Sequence, residues 1–192
     1  KIITMEITTP IQQKIDLLKT SAQINSVPST AGFLLSPSDG EKIWITGDTL
    51  SFKATSAETS GAYTVIEVIS LPGNGPPPHL HENEDESIYV IDGDFEILLG
   101  AKTMRAEPGT FVFVPKRTVH RFRCIGSHPG KVLLHFTPGG IEGFFREAGV
   151  SVTNDGPAPL VDIAEINRTE MAGKRYGLRV IDWEDGGRVN QS

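Results

Sequence analysis

Three histidines and one glutamate fall at spacings that a divalent metal ion can use. The stretch from Gly73 to Gly93 reads GNGPPPHLHENEDESIYVIDG and carries His79, His81 and Glu86. The stretch from Gly109 reads GTFVFVPKRTVH and ends on His120. Imidazole nitrogens with one carboxylate suit a divalent transition metal, whether iron, manganese, nickel, cobalt or zinc. The chain holds 5 histidines, at 79, 81, 120, 128 and 135, and the first three of these lie in the two stretches, which argues against scatter. Residues i and i+2 of an extended strand point to one face, so His79 and His81 can reach one point. Pro76, Pro77 and Pro78 stiffen the approach by fixing φ and holding each preceding residue extended. Glu86 to Ile91 reads as a second strand, rich in Ile, Tyr and Val. Gly93, after Asp92, reads as the turn that ends it. Glu82, Glu84 and Asp85 share an acidic run with Glu86, and their plain reading is a solvated loop.

Together the two stretches resemble the cupin superfamily. Its first motif, G-x5-H-x-H-x(3 or 4)-E-x6-G, is filled at every demanded position by Gly73, His79, His81, Glu86 and Gly93. Its second, G-x5-P-x-G-x2-H-x3-N, is met at Gly109, Pro115 and His120. Arg117 stands where that motif has glycine and Cys124 where it has asparagine. The resemblance implies an all-β double-stranded β-helix, or jelly-roll barrel, with His79, His81, Glu86 and His120 as ligands of one metal ion. Glu86 would also be the catalytic base, since a carboxylate can accept a substrate proton. The segment FTPGGIEGFFREAG, from Phe136 to Gly149, is similar to the tail of single-domain cupins of the quercetin dioxygenase-like kind. That points to a metal-dependent dioxygenase acting on a small aromatic or enol-type substrate. Fold does not dictate function, so two other classes stay open. One is a non-redox cupin enzyme, an isomerase or decarboxylase, and the other is a non-catalytic small-molecule binding or sensor module.

The elements that must position these groups are mostly short extended runs between turn signals. They are Lys42–Ile45, Ala62–Ser70, Glu86–Ile91, Phe95–Leu99, Gly109–Val114, His120–Ile125 and Val132–Thr137. Many short strands with regular turns predict a sandwich or barrel. Residues 10–24 predict an N-terminal helix, capped by Thr9, opened by Pro10, and apolar at Ile11, Ile15, Leu18 and Ala22. Gly139 to Ala148 predicts a helix stopped at Gly149, and Asp162 to Ala172 a further one. Residues 151–160 read as a Pro/Gly linker. The barrel with its following helix is assigned to 46–149, an N-terminal extension to 1–45 and a C-terminal extension to 150–192.

Ile88, Phe113, Phe122, Cys124 and His135 are the expected substrate-binding residues. Phe122 and Cys124 share the face of His120 on a regular strand. Phe111 and Phe113 share a face on the strand before it. His135 shares its face with Leu133 and Thr137 and opposes Leu134 and Phe136. Phe144 and Phe145 are placed to cap the barrel mouth. Arg117 and Arg121 are the cations that could turn inward to read a carboxylate.

Composition bounds the partners. With 192 residues, 38% of them hydrophobic, 20 glycines and 13 prolines, the chain is turn-rich and globular. A net charge of -6 gives no basic patch for nucleic acid. The single cysteine, Cys124, excludes an internal disulfide, and a cytoplasmic setting is expected. No apolar run approaches the roughly 18 residues of a membrane helix. The chain begins at Lys1, so a removed leader or a tag remnant before Met5 stays open. The expected partners are a small-molecule substrate and a second copy, as a homodimer.

Overall fold

Alternation of more and less buried positions along β-strands such as Thr64–Ser70, Asp85–Asp92 and Gly130–Thr137 accompanies the building of two antiparallel sheets. The computed structural model describes residues 32–154 and 156–181, with the backbone of 183–184 and 188–189. The chain divides into Lys1–Leu34, of which residues 32–34 are described, and Leu35–Ser192. The helix expected at 10–24 lies outside the described residues. The second unit runs β1 (Lys42–Ile45), β2 (Asp48–Ala54), β3 (Thr64–Ser70), β4 (His79–His81), β5 (Asp85–Asp92) and β6 (Phe95–Leu99). It continues β7 (Lys102–Ala106), β8 (Phe111–Val114), β9 (His120–Cys124), β10 (Gly130–Thr137) and α1 (Glu142–Ala148). Then come β11 (Val150–Ser151), α2 (Ile163–Tyr176), β12 (Leu178–Val180) and the short pair β13 (Trp183–Glu184) and β14 (Arg188–Val189).

One sheet has seven strands in the order β11-β1-β2-β3-β10-β5-β8, and the other five in the order β12-β4-β9-β6-β7. Insertion of β10 between β3 and β5, and of β9 between β4 and β6, gives the jelly-roll topology expected from the sequence. The core between the sheets is the inward half of each alternation. Ile66 and Val68 come from β3, Ile88 and Val90 from β5, Ile97 from β6, and Val132 and Phe136 from β10. Each such side chain contributes about 1.5–3 kcal/mol of burial free energy.

Three strands of these two sheets lie outside the expected barrel limits of 46–149. β11 and β1 end the seven-stranded sheet, and β12 joins the five-stranded sheet beside β4. The link to β12 is made locally. Asp162 caps α2, its carboxylate accepting from the Glu165 amide at 2.7 Å. Gly177 ends the helix at φ 77, a left-handed conformation suited to glycine, and turns the chain straight into β12. Among the described residues no helix is long and apolar enough to cross a membrane.

Candidate metal centre

β4 is three residues long, and its alternation sends both His79 and His81 inward. The chain reaches it through Gly75, at φ 149, where a Cβ would stand 2.1 Å from the Phe122 carbonyl oxygen. Only glycine lets that approach lie against β9. On one side β4 pairs with β9, with His79 directly opposite His120. On the other it pairs with β12, where Leu178 faces His81 and Val180 faces His79. Glu86 arrives from the other sheet, on the inward face of β5. All four side chains are buried, and one ligand atom from each lies within 4.8 Å of the others.

The rings are set by what their outer nitrogens touch. His79 Nδ1 lies 2.9 Å from the Pro77 carbonyl oxygen, and His120 Nδ1 lies 2.9 Å from that of Thr118. Each Nδ1–H donates to a carbonyl, which leaves Nε2 unprotonated for a metal. His120 Nε2 is 2.8 Å from Glu86 Oε2, and His81 Nε2 is 3.4 Å from the same oxygen but without hydrogen-bond geometry. Both ring nitrogens of His81 are buried with no hydrogen-bond partner among the described residues. Orphaned buried nitrogens are costly unless something else satisfies them. A metal ion at the shared centre satisfies Nε2, and three nitrogens with one carboxylate oxygen form a suitable donor set. The residues therefore fit a metal ion.

Electrostatics agree with that reading. Burial holds His79 well below the ordinary histidine value, helped by the charges of His120 and His81. Burial pushes the Glu86 carboxyl up, but the charge and hydrogen bond of His120, with a contribution from His81, outweigh it and hold the group below the usual carboxylate range. Burial also lowers His120, and the facing Glu86 more than reverses this.

The cluster opens on an apolar cavity. Phe122, Leu134, Phe136, Phe144 and Phe145 form much of its wall, with His79, His81 and Glu86 at the metal end. Phe122 thus stands where the sequence placed it, and Phe144 and Phe145 do line the cavity. Strand register corrects the expectation for Phe113 and His135. Ser87 pairs with Phe113 on one side and His135 on the other, and residues directly opposite share a face. Ser87 lies on the face opposite Glu86, so Phe113 and His135 turn outward. Phe113 is 52% exposed, and His135 stacks on Tyr63 at 5.2 Å. Val114, opposite Glu86, and Val112, opposite Ile88, are the inward residues of β8. Cys124 and Ile88 point inward but are sealed in the core, with Cys124 Sγ against the His128 carbonyl rather than in the cavity wall. Arg117 and Arg121 face away from the cavity, paired with Glu82 and Glu96 at 3.0 Å each. Arg117 sits at φ 64, the left-handed conformation that explains glycine at this position of the motif.

Sequence reasoning missed Asp48. This carboxylate lines the cavity at the start of β2. Its Oδ1 accepts from Ser70 Oγ at 2.7 Å and from Asn74 Nδ2 at 2.5 Å, and no hydrogen bond reaches Oδ2 among the described residues. Burial pushes the carboxyl up to about 7, against the pull of those two donors. The available signal was an acid opening an otherwise inward-packing strand, which alone does not mark a site.

The family described as Cupin domain matches residues 66–136. Quercetin 2,3-dioxygenase of Bacillus subtilis (strain 168) is 30% identical over 130 residues, which are 67% of this chain and 38% of that protein. The polyketide synthase CurC of Streptomyces cyaneus is 32% identical over 92 residues, 47% of this chain and 57% of that protein. The chain thus spans less than two thirds of the curated relatives it matches. Among solved structures, KdgF from Halomonas sp. superposes with a TM-score of 0.53 at 23% identity, over 59% of this chain and 98% of that one. A predicted oxalate decarboxylase from Thermotoga maritima gives 0.52 at 17% identity, over 55% and 99%. These two share the fold. The chain belongs to the cupin superfamily.

Proposed function

We propose that this cupin is a metal-dependent oxidoreductase, a dioxygenase acting on a small aromatic or enol-type substrate. The observation that carries the reading is the placement of Glu86 in both the metal cluster and the cavity wall. The likeness to quercetin 2,3-dioxygenase supports the substrate class. His79, His81, Glu86 and His120 would hold a divalent transition metal, which supplies Lewis acidity and, for a redox-active ion, an electron path to dioxygen. The chain's own residues do the rest. Glu86 accepts at a carboxylate oxygen the proton of an acidic substrate hydroxyl. The carbonyls of Pro77 and Thr118 fix two imidazoles in the ligating tautomer. Phe122, Leu134, Phe136, Phe144 and Phe145 exclude water and pack against a flat apolar ligand.

One observation favours a second reading. Asp48, pushed up to about 7, gives the cavity a second proton carrier apart from the cluster. An isomerase or decarboxylase with two acid–base groups would use such a pair. Oxygen uptake by metal-reconstituted protein with a flavonol and with a β-diketone separates the two. Uptake with either supports the dioxygenase. Substrate conversion without uptake, across iron, manganese, nickel and cobalt forms, overturns it in favour of the second reading.

The homodimer belongs to the same proposal. β8 is the last strand of the seven-stranded sheet, and its Phe111 and Phe113 are exposed. An unpaired apolar edge is a liability that a second copy covers. A light-scattering mass near 20.8 kDa at micromolar concentration would reject it.

A further inference from the structure

The acidic run after β4 divides its labour with one residue left over. Glu82 meets Arg117 at 3.0 Å and Arg179 at 3.3 Å on the surface. Asp85 accepts from the Lys116 amide at 2.8 Å, and Glu86 enters the cluster. Glu84 is only 7% exposed, and its Oε2 is buried without a hydrogen-bond partner among the described residues. The nearest complement is the other orphan of the site. His81, 3% exposed, places Nδ1 3.9 Å from Glu84 Oε2 and has no partner for it.

The three histidines make the asymmetry plain. His79 and His120 each donate Nδ1–H to the carbonyl of the residue two positions earlier. For His81 that residue is His79, and no such bond forms. A metal on Nε2 forces the proton to Nδ1, and a buried N–H then needs an acceptor. Phe136 packs edge-on against the ring at 5.5 Å, so the ring plane is already held and the carboxylate must do the reaching. Closing 3.9 Å to a charge-assisted bond of about 2.8 Å takes a movement of about 1 Å by one side chain.

We propose that Glu84 is a positioning residue for the metal ligand His81, accepting its Nδ1–H through Oε2 and completing a carboxylate–histidine–metal relay. The proposal rests on the reading of His79, His81, Glu86 and His120 as a metal site. It gives the buried Glu84 a partner, raises the basicity of His81, and adds a second negative charge beside Glu86 to balance a divalent ion.

The test uses the full chain stripped of metal, with Zn(II) as the probe. Competition against a chelator gives the affinity of the unsubstituted protein, Glu84→Gln and Glu84→Ala. Losing the carboxylate acceptor is expected to weaken Zn(II) binding about 10- to 100-fold, the range for such outer partners. Thermal melts of the metal-free forms separate this from loss of fold, since a purely structural Glu84 would move the melts and leave affinity among folded protein alone. Nitrogen-15 NMR of the Zn(II) form adds a readout that needs no variant. Three slowly exchanging imidazole N–H signals are expected, and Glu84→Ala should remove the one from His81. Equal affinities within about twofold, or a His81 Nδ1–H that exchanges freely in the unsubstituted protein, would overturn the proposal while leaving the metal site standing. Failure of the unsubstituted protein to bind Zn(II) at all would overturn both.

Discussion

Replacing Asp48 by asparagine should remove a pH dependence from the stability of the fold. In the folded protein burial pushes the Asp48 carboxyl up to about 7, whereas in the unfolded chain it titrates near 3.8. The folded state therefore holds a proton that the unfolded state has released across that window. The stability gained from this proton is fully present below about pH 4 and is lost as pH rises through 7. At about 1.4 kcal/mol for each pH unit, the loss across the window is on the order of 4 kcal/mol. Asparagine is neutral throughout, and its Oδ1 keeps the bonds from Ser70 Oγ and Asn74 Nδ2. The stability of Asp48→Asn relative to chelator-treated wild type, read from denaturant unfolding, should thus rise by about 3 kcal/mol between pH 5 and pH 8. Titration of His79, Glu86 and His120 is common to both proteins and cancels in the difference, provided the sites do not couple. A difference that stays flat from pH 5 to pH 8 would show that Asp48 ionises normally. It would also remove the basis for a second proton carrier in the cavity.

Three further outcomes follow from the site. Metal-reconstituted protein should hold one ion per chain by elemental analysis, and His120→Ala should abolish tight binding, because it removes the ligand paired across β4 and β9; an unchanged metal content refutes the ligand set. Glu86→Gln should lower turnover by about 10²–10⁴-fold while metal content falls far less, because an amide oxygen can ligate but cannot accept a proton; equal losses of both would reduce Glu86 to a ligand alone. Gly177→Ala should cost about 1–2 kcal/mol for the left-handed backbone, since φ is 77 there. In a chain of this size that lowers the melting temperature by several degrees, and an unchanged melt would mean the turn into β12 is not strained.

What the sequence revealed and what it hid divide along one physical line. Alternation is local, so residues on one strand could be sorted into faces. His79 with His81, His120 with Phe122, and His135 against Leu134 were all assigned relative to one another correctly. Which of two faces looks inward is not local when both are apolar. On FVFV of β8, two phenylalanines and two valines compete, and propensity does not choose between them. The choice is made by pairing with β5, where Val114 lies opposite the inward Glu86 and Phe113 opposite the outward Ser87. The smaller side chains go inside and the larger ones form an exposed edge, against the expectation from size alone. The same non-local pairing decides His135.

The metal ligands escaped this ambiguity because their chemistry supplied a second constraint. Three imidazoles and a carboxylate need a common point, and one arrangement of faces provides it. The supports of those ligands had no such constraint. Residues 178–180 carry only a short run, LRV, yet β12 closes the far side of the histidine strand, with Leu178 against His81. Its place depends on the cap at Asp162 and the left-handed turn at Gly177, each readable singly, and on a sheet edge that no local pattern reveals. Glu84 is hidden in the same way. In sequence it is one acid among four, and only the burial of Oε2 beside the unpartnered Nδ1 of His81 separates it from its solvated neighbours. The parts of a site that carry its chemistry can be read from residue type and spacing, while those that hold it in place are written in strand pairing.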